Sequence, residues 1–130
     1  MKKTLFLKTA DQFCQFSLQQ DDQTYHKTWL AGRNLSDKLL EQLQIFLKEN
    51  GLEFGNLTGI VVFRGPGSYT SLRIGLTVAN TLAEALAIPI VGTETEAWQE
   101  LGQTRLAHGD NDQIVTPIYL QPAIVTQPKK

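Results

Sequence analysis

The sequence has a single cysteine, Cys14, among its 130 residues, so the chain cannot form an internal disulfide. Its two histidines, His26 and His108, lie far apart and lack the spacing of zinc ligands. Lysines and arginines are not clustered and the net charge is −1, which leaves no basic patch to neutralise phosphates. The composition therefore argues against a disulfide scaffold, a zinc site and a protein that binds nucleic acid on its own.

Long hydrophobic runs are also missing. No stretch approaches the ~18 consecutive apolar residues of a membrane span. The N-terminal run "MKKTLFLKTADQF" is interrupted at Lys8 and Asp11, and no small-residue cleavage site follows it. Hydrophobic residues make up 42% of the chain and charged residues 19%, a balance that permits a core of ordinary size. We expect a cytoplasmic protein that makes no contact with a membrane.

Hydrophobic patterning predicts an α/β fold. Three short segments rich in strand formers, "TLFL", "FCQFSLQ" and "TYHKTWL", are joined by polar links, which is typical of an antiparallel meander. A helix with leucines at three- and four-residue spacing follows over residues 36–49. A buried strand at "LTGIVVF", a second helix over residues 70–87 and a strand at "IPIVG" come next. This order predicts a single ribonuclease-H-like or actin-like half-domain, with a mixed five-stranded sheet of three antiparallel strands followed by parallel strands.

The C-terminal part carries weaker patterns. "TETE", a capping-box pattern that begins at Thr93, predicts a short helix that ends at Leu101. The acidic "DND" at residues 110–112 lacks the ligand spacing of calcium sites and predicts a solvated loop. "IVTPIYLQPAIV" is apolar but interrupted by prolines, which favours an extended segment. We therefore divide the chain into an N-terminal lobe at residues 1–102 and an extended C-terminal tail at residues 103–130.

A glycine turn separates the buried strand from the second helix. Such turns hold phosphates in many proteins, but "RGPGSYTS" has neither the Gly-Lys-Ser/Thr of a P-loop nor the third glycine of a dinucleotide fingerprint. Gly65, Gly67, Ser68 and Thr70 are therefore weak candidates for nucleotide binding, with a structural turn as the alternative. Ser68 has no evident His/Asp companions, and Cys14 lies in an apolar strand pattern typical of an inert cysteine. We expect no catalytic residue, no cofactor and no metal.

The helix over residues 70–87 is apolar around most of its circumference. Arg73 and Glu84 are its only charges, and the sheet of a half-domain covers only one face of a helix. Small residues recur within it at four-residue spacing: Gly75, Ala79 and Ala83. We interpret the surplus apolar face as a surface for a partner, with cover by the C-terminal tail as the alternative.

The segment "GPGSYTSLRIGLTVANTLA" resembles the signature of the TsaB family, partner proteins in the synthesis of threonylcarbamoyladenosine on tRNA. Tyr69 stands at an aromatic position of that signature. The positions that match it residue for residue are Gly65, Pro66, Gly67, Ser68, Thr70, Leu72, Arg73, Ile74 and Gly75. "RNLSDKLL", "IPIVGTET" and "PIYL" are similar to further motifs of the family. The resemblance covers roughly residues 1–100 together with the C-terminal motif.

Some positions depart from the family pattern. Lys8 stands where the family has an aspartate that, in actin-like ATPases, helps to organise metal and nucleotide, and a lysine cannot coordinate magnesium. Ser71 replaces a usual glycine, and Asn80 replaces a usual lysine. TsaB proteins are ordinarily longer and have a second lobe, so the resemblance implies a minimal form that lacks most of that lobe.

The resemblance implies a non-catalytic scaffold that binds and supports a TsaD-like enzyme through a bundle of N-terminal helices. It also implies a homodimer when the protein is alone, a TsaE-like ATPase as a further partner, and no direct contact with tRNA. The predicted interface residues are Leu39, Leu43, Leu72, Arg73, Leu76, Ala79, Asn80 and Ala83. Two alternatives stay open: a residual nucleotide-binding, ATPase-like half-domain, and a homodimeric structural module.

Overall fold

The computed structural model describes residues 2–118. Its strands are β1 (Lys3–Lys8), β2 (Phe13–Gln20), β3 (Gln23–Leu30), β4 (Gly59–Phe63) and β5 (Ile90–Thr93). Its helices are α1 (Leu35–Glu49), α2 (Tyr69–Leu86) and α3 (Trp98–Ala107). The strands form one sheet in the order β3-β2-β1-β4-β5, so the predicted mixed five-stranded α/β fold is confirmed. Within residues 2–118, no helix has both the length and the apolar character needed to cross a bilayer.

The sheet combines two kinds of strand pairing. β1, β2 and β3 form the predicted antiparallel meander, in which Lys3 pairs with Gln20 and Phe13 pairs with Leu30. β4 lies parallel to β1, and β5 lies parallel to β4. Parallel neighbours need a crossover connection, and α2 supplies the one between β4 and β5. The carboxyl ends of β1, β4 and β5 therefore meet at one edge of the sheet.

Hydrophobic side chains on both faces of the sheet form two core clusters. The larger cluster lies between the sheet and the layer of α1 and α2, and includes Leu5 and Leu7. The smaller cluster lies under α3 and includes Phe6, Val61 and Trp98. Successive side chains of a strand point to opposite faces, so the central strand β1 contributes to both clusters. Because both faces of these strands are covered, β1 and β4 appear in the sequence as continuous apolar runs.

The last helix differs from its prediction. α3 begins at Trp98 and continues to Ala107, so residues 103–107, assigned to the tail, are helical. Thr93 is the last residue of β5, and its hydroxyl donates a hydrogen bond to the carbonyl of Trp98 at 2.7 Å. The capping-box prediction is wrong, because a capping hydroxyl would instead accept from an N–H of the first turn. Residues 119–130 of the predicted tail lie outside the described residues.

Residues 109–118, which we call the strap, run without a strand or helix along the outer edge of β5. The Asn111 side chain accepts a hydrogen bond from the N–H of Ile90 at 3.2 Å, and Asp112 Oδ2 accepts from the N–H of Gly92 at 2.9 Å. The N–H of Asp112 donates to the carbonyl of Ile90 at 2.8 Å. The segment is an exposed loop, as predicted, and its side chains also take the place of a further strand beside β5.

The far half of the strap crosses α2. The Asn80 side chain accepts from the N–H of Val115 at 2.8 Å and donates to its carbonyl at 3.0 Å. Val115 is 4% exposed and packs against Gly92, where a Cβ would lie 2.3 Å from Val115 Cγ1. Arg64 Nε donates to the carbonyl of Thr116 at 2.9 Å. The strap therefore covers the flank of α2 that carries Asn80.

Candidate partner interface at helices α1 and α2

The glycine turn between β4 and α2 is closed by its own chain. A Cβ at Gly65 would lie 2.0 Å from the carbonyl oxygen of Ile118, and a Cβ at Gly67 would lie 2.8 Å from both Cβ and O of Ala10. The N–H of Ser68 donates to the carbonyl of Ala10 at 2.8 Å. Gly65 also has a φ of +122°, which favours glycine. The two glycines thus permit close backbone packing, which supports the interpretation as a structural turn.

The first turns of α2 pack on the segment that follows β1. Thr70, the last nucleotide-binding candidate, is exposed there, and Ser68 makes no side-chain capping bond. A Cβ at Gly75 would lie 2.0 Å from Oγ1 of Thr9, and this hydroxyl donates to the carbonyl of Ser71 at 2.9 Å. Gly75 therefore faces the core, where its lack of a side chain lets α2 approach the end of β1.

Lys8 and Phe63 end the neighbouring strands β1 and β4. The Lys8 ammonium lies 4.5 Å from the centroid of the Phe63 ring, a cation–π contact. Magnesium prefers oxygen ligands, so an ammonium at this edge cannot take the place of the aspartate that the family carries. The next residue, Arg64, is held within the chain, with its Nη1 3.6 Å from Oε2 of Glu94.

Most of the predicted interface residues are buried in the chain's own core. Those that are no more than 3% exposed are Leu39, Leu43, Leu72, Leu76, Ala79 and Ala83. Asn80 is bound to the strap, and only Arg73 is exposed. The prediction is wrong for the buried residues, because these rows pack against the sheet and between the helices, where a partner cannot reach them.

The solvent-facing apolar surface lies one row further round α2. Ile74, Val78 and Leu82 are half-buried at four-residue spacing, and Leu40 of α1 is 51% exposed. We call these four residues the outer face. Beside them, a groove of about 340 Å³ is lined by Ser36, Tyr69, Thr70, Arg73, Ile74, Thr77 and Val78. Sequence reasoning missed this row although its spacing was visible, because periodicity alone does not say which of two apolar rows meets the sheet.

A cation stands at the edge of the groove. Arg73 Nη1 donates to the hydroxyl of Tyr69 at 3.1 Å, and the guanidinium carbon lies 5.3 Å from the centroid of the Tyr69 ring. Tyr69 is itself 55% exposed. The Tyr69 ring thus holds the guanidinium at the surface of α2, in reach of a group on another molecule.

Cys14 carries no reactive thiolate. The residue is 1% exposed, and burial raises the pKa of its thiol to about 12. The thiolate is the reactive form, so we expect iodoacetamide at about pH 8 to leave the folded protein unlabelled while it labels the urea-unfolded chain. Intact-mass spectrometry measures the labelling of the folded and of the unfolded protein. Equal labelling of the folded and unfolded chains would contradict this prediction.

Comparisons with known proteins agree on one family. A family model described as TsaD, tRNA N6-adenosine threonylcarbamoyltransferase, matches residues 24–104. The chain is 29% identical over 110 residues to the tRNA threonylcarbamoyladenosine biosynthesis protein TsaB of Escherichia coli (strain K12), covering 80% of this chain and 48% of that protein. It is 35% identical over 88 residues to TsaB of Bacillus subtilis (strain 168), covering 67% of this chain and 36% of that protein.

A solved structure shows the same arrangement. YeaZ from Pseudomonas aeruginosa superimposes with a TM-score of 0.69 at 27% sequence identity, covering 78% of this chain and 51% of that one. The chain therefore spans about half the length, or less, of the relatives that it matches. The matched part includes the glycine turn and the two helices that carry the outer face.

Proposed function

The chain belongs to the TsaB family, within the wider group that the TsaD model describes, and we propose that it is a non-catalytic scaffold. It binds and supports a TsaD-like enzyme in the threonylcarbamoyladenosine modification of tRNA. The names of its curated relatives place them in the biosynthesis of this modification.

The outer face is the observation that carries this proposal. It presents apolar side chains from two adjacent helices, together with an open groove at the N-terminal end of α2. A layer of two helices with an exposed apolar seam is completed when two further helices pack against it as a bundle. A partner that supplies two such helices would bury Val78 and Leu40 at the centre of the contact.

The residues at the carboxyl ends of β1 and β4 support the non-catalytic part of the proposal. Lys8 replaces a metal-binding carboxylate with an ammonium, and Gly65 and Gly67 are packed against the chain's own backbone. The proposal therefore assigns nucleotide chemistry to the partners, the TsaD-like enzyme and a TsaE-like ATPase, and it assigns no tRNA contact to this chain.

We expect Val78→Asp to weaken binding to the TsaD-like enzyme by about 100-fold or more. The substitution would bury a carboxylate in an apolar contact, at a cost of several kcal/mol, and each ~1.4 kcal/mol is a tenfold change in Kd. Isothermal titration calorimetry with the purified enzyme of the same organism measures the effect. Val78 is half-buried on α2, so circular dichroism must first show that the variant is folded.

Leu101→Asp provides the matched control for Val78→Asp. Leu101 is 47% exposed and lies on α3, on the opposite side of the sheet from the outer face. The same introduced charge there should leave enzyme binding unchanged. The proposal fails if the wild-type chain does not bind the enzyme, or if both variants bind it as the wild type does.

The second candidate function is a homodimeric structural module. The outer face favours it, because an exposed apolar face can also be covered by the same face of a second copy. On the leading proposal, the same face pairs with a second copy when the enzyme is absent. Sedimentation velocity over a range of concentrations, with and without the enzyme, separates the two. A dimer that the enzyme never dissociates would favour the structural module.

A further inference from the structure

A groove of about 600 Å³, which we call the strap groove, lies between the C-terminal half of α2 and the strap. Glu84 of α2 lines one wall, and Gln113 and Ile114 of the strap line the other. At 3.6 residues per turn, Glu84 lies about 120° around the helix from Val78. The strap groove is therefore on a different side of α2 from the outer face.

Glu84 lies at the end of α2 where a carboxylate is unfavourable. The carbonyl groups in the last turn of a helix carry a partial negative charge, which a basic side chain usually offsets. α2 has no basic residue in its last turn, and the exposed Glu84 lies there instead. The acidic partners in the ion pairs among residues 2–118 are Glu41, Glu94, Asp110 and Asp112. Within these residues, the negative charge of Glu84 is therefore not neutralised by an ion pair.

The other lining groups suit a cation that is carried on an apolar stem. The exposed Gln113 has a side-chain carbonyl, which is a further hydrogen-bond acceptor. Ile88 and Pro89 line the same groove and are half-buried, and Ile114 is 70% exposed. A long basic side chain packs its methylene groups on such an apolar surface while its charged end stays among polar groups. The strap groove therefore combines a negative end with apolar walls.

We infer that the strap groove binds an arginine side chain of another protein. A guanidinium has five donors in one plane, which matches a carboxylate, a side-chain carbonyl and the carbonyl groups at a helix end better than the compact ammonium of lysine does. The carboxylate of Glu84 repels the phosphates of a nucleic acid. Glu84, Gln113 and Ile114 are all exposed, so the groove cannot enclose a free small molecule as ligand pockets usually do. The guanidinium therefore belongs to a protein segment that makes further contacts outside the groove.

This site goes beyond the proposed scaffold function. A protein that inserts an arginine beside Glu84 uses a different side of α2 from the TsaD-like enzyme on the outer face. Each contact has its own variant, because Glu84→Gln changes the strap groove and Val78→Asp changes the outer face. Loss of one contact without the other therefore tells which of the two proposals has failed.

Peptide titration followed by NMR tests the inference. We expect acetyl-Leu-Arg-Leu-amide to shift the backbone amide signals of Glu84, Gln113 and Ile114 saturably, with a Kd of about 1 mM, since the ligand is small and largely exposed to solvent. The same peptide with citrulline in place of arginine should bind about tenfold more weakly, because citrulline keeps the shape and loses the charge. The lysine peptide should bind about threefold more weakly than the arginine peptide.

Glu84→Gln should weaken binding of the arginine peptide by about tenfold. It should unfold at the same or a slightly higher urea concentration than the wild type, because it removes a carboxylate from the negative end of α2, whereas a merely structural role for Glu84 would lower stability. Gln113→Lys should also abolish binding, because it places the chain's own cation in the groove. Glu100→Gln removes an exposed carboxylate from α3, on the opposite side of the sheet, and as the matched control should bind like the wild type.

The inference is overturned if the citrulline peptide binds as tightly as the arginine peptide, or if Glu84→Gln binds like the wild type. It is also overturned if up to about 10 mM of the arginine peptide causes no saturable shift. Shifts at the strap groove that follow protein concentration alone would assign it to a second copy instead. Tighter peptide binding by Lys129→Ala/Lys130→Ala would assign it to the chain's own C-terminal lysines, which also contradicts the inference.

Discussion

Gly75→Ala is expected to lower the free energy of unfolding by about 2 kcal/mol, although alanine is favoured over glycine in a helix by about 1 kcal/mol. The new Cβ would lie 2.0 Å from Oγ1 of Thr9 and 2.9 Å from its Cγ2. Thr9 is 1% exposed, and its hydroxyl donates to the carbonyl of Ser71, so it cannot rotate away without giving up that bond. The helix must therefore move off the end of β1. Urea unfolding followed by circular dichroism measures the change.

Gly55→Ala is the matched control for Gly75→Ala. Gly55 lies in a short 3-10 turn, and no atom lies within 4 Å of an added Cβ there. Its substitution should change stability by less than about 0.5 kcal/mol. Thr9→Ala should recover part of the loss in the Gly75→Ala background, because it removes the two closest atoms. Equal effects at Gly75 and Gly55 would contradict the packing described for α2.

Asp112→Asn is expected to lower stability by about 1.5 kcal/mol at neutral pH, because it weakens the charge-assisted hydrogen bonds from Arg105. Arg105 Nη1 lies 3.0 Å from Asp112 Oδ2 and Nη2 lies 2.5 Å from Oδ1. These bonds, with the bond from the N–H of Gly92, hold the pKa of the Asp112 carboxyl below its ordinary value of 3.8. Both side chains are partly exposed, so solvent reduces the gain below that of a buried pair.

The pH dependence of the Asp112 contribution has a definite sign. A carboxyl whose pKa is lowered by folding stabilises the protein above its unfolded pKa, near 3.9, and the stabilisation is lost as the pH falls through the folded value. The wild type and Asp112→Asn should therefore differ in stability at about pH 7, and the difference should begin to shrink as the pH falls below about 4. Asp22→Asn, in the exposed β2–β3 turn, is the control for the loss of a carboxylate and should leave stability at about pH 7 unchanged. A gap that widens in acid would contradict the assignment.

The central part of the fold could be predicted from the sequence because its patterns have a single structural solution. β1 and β4 are apolar without alternation, as strands with two covered faces must be. In α1, Leu39 and Leu43 recur at helical spacing and face the sheet, and the Asn50-Gly51 pair ends the helix with Gly51 at a φ of +79°. Each of these signals is local, and no competing arrangement satisfies it equally well.

The path of the strap and the orientation of α2 could not be predicted from the sequence, because both depend on contacts between distant parts of the chain. The strap is placed by Asn80, Arg64 and Gly92, and nothing within the strap's own sequence identifies these partners. On α2, both the row of Leu72 and the row of Val78 are apolar. The row that meets the sheet is the one on the side of Gly75, where α2 can approach β1 closely. The other row is left at the surface, where it could form an interface.

The strap has a consequence for polymer growth. A sheet has two outer edges. A fibre needs both of them, since each added copy pairs through one edge and leaves the other edge free for the next copy. In this chain Asn111, Asp112 and Arg105 bind the N–H and carbonyl groups of β5, while in the described part of the chain β3 has no neighbour on its outer side. Edge-to-edge pairing of two copies through their β3 strands therefore gives a dimer, and no further copy can add to it through β5. Loss of the strap would free the edge of β5, and further copies could then add to the dimer.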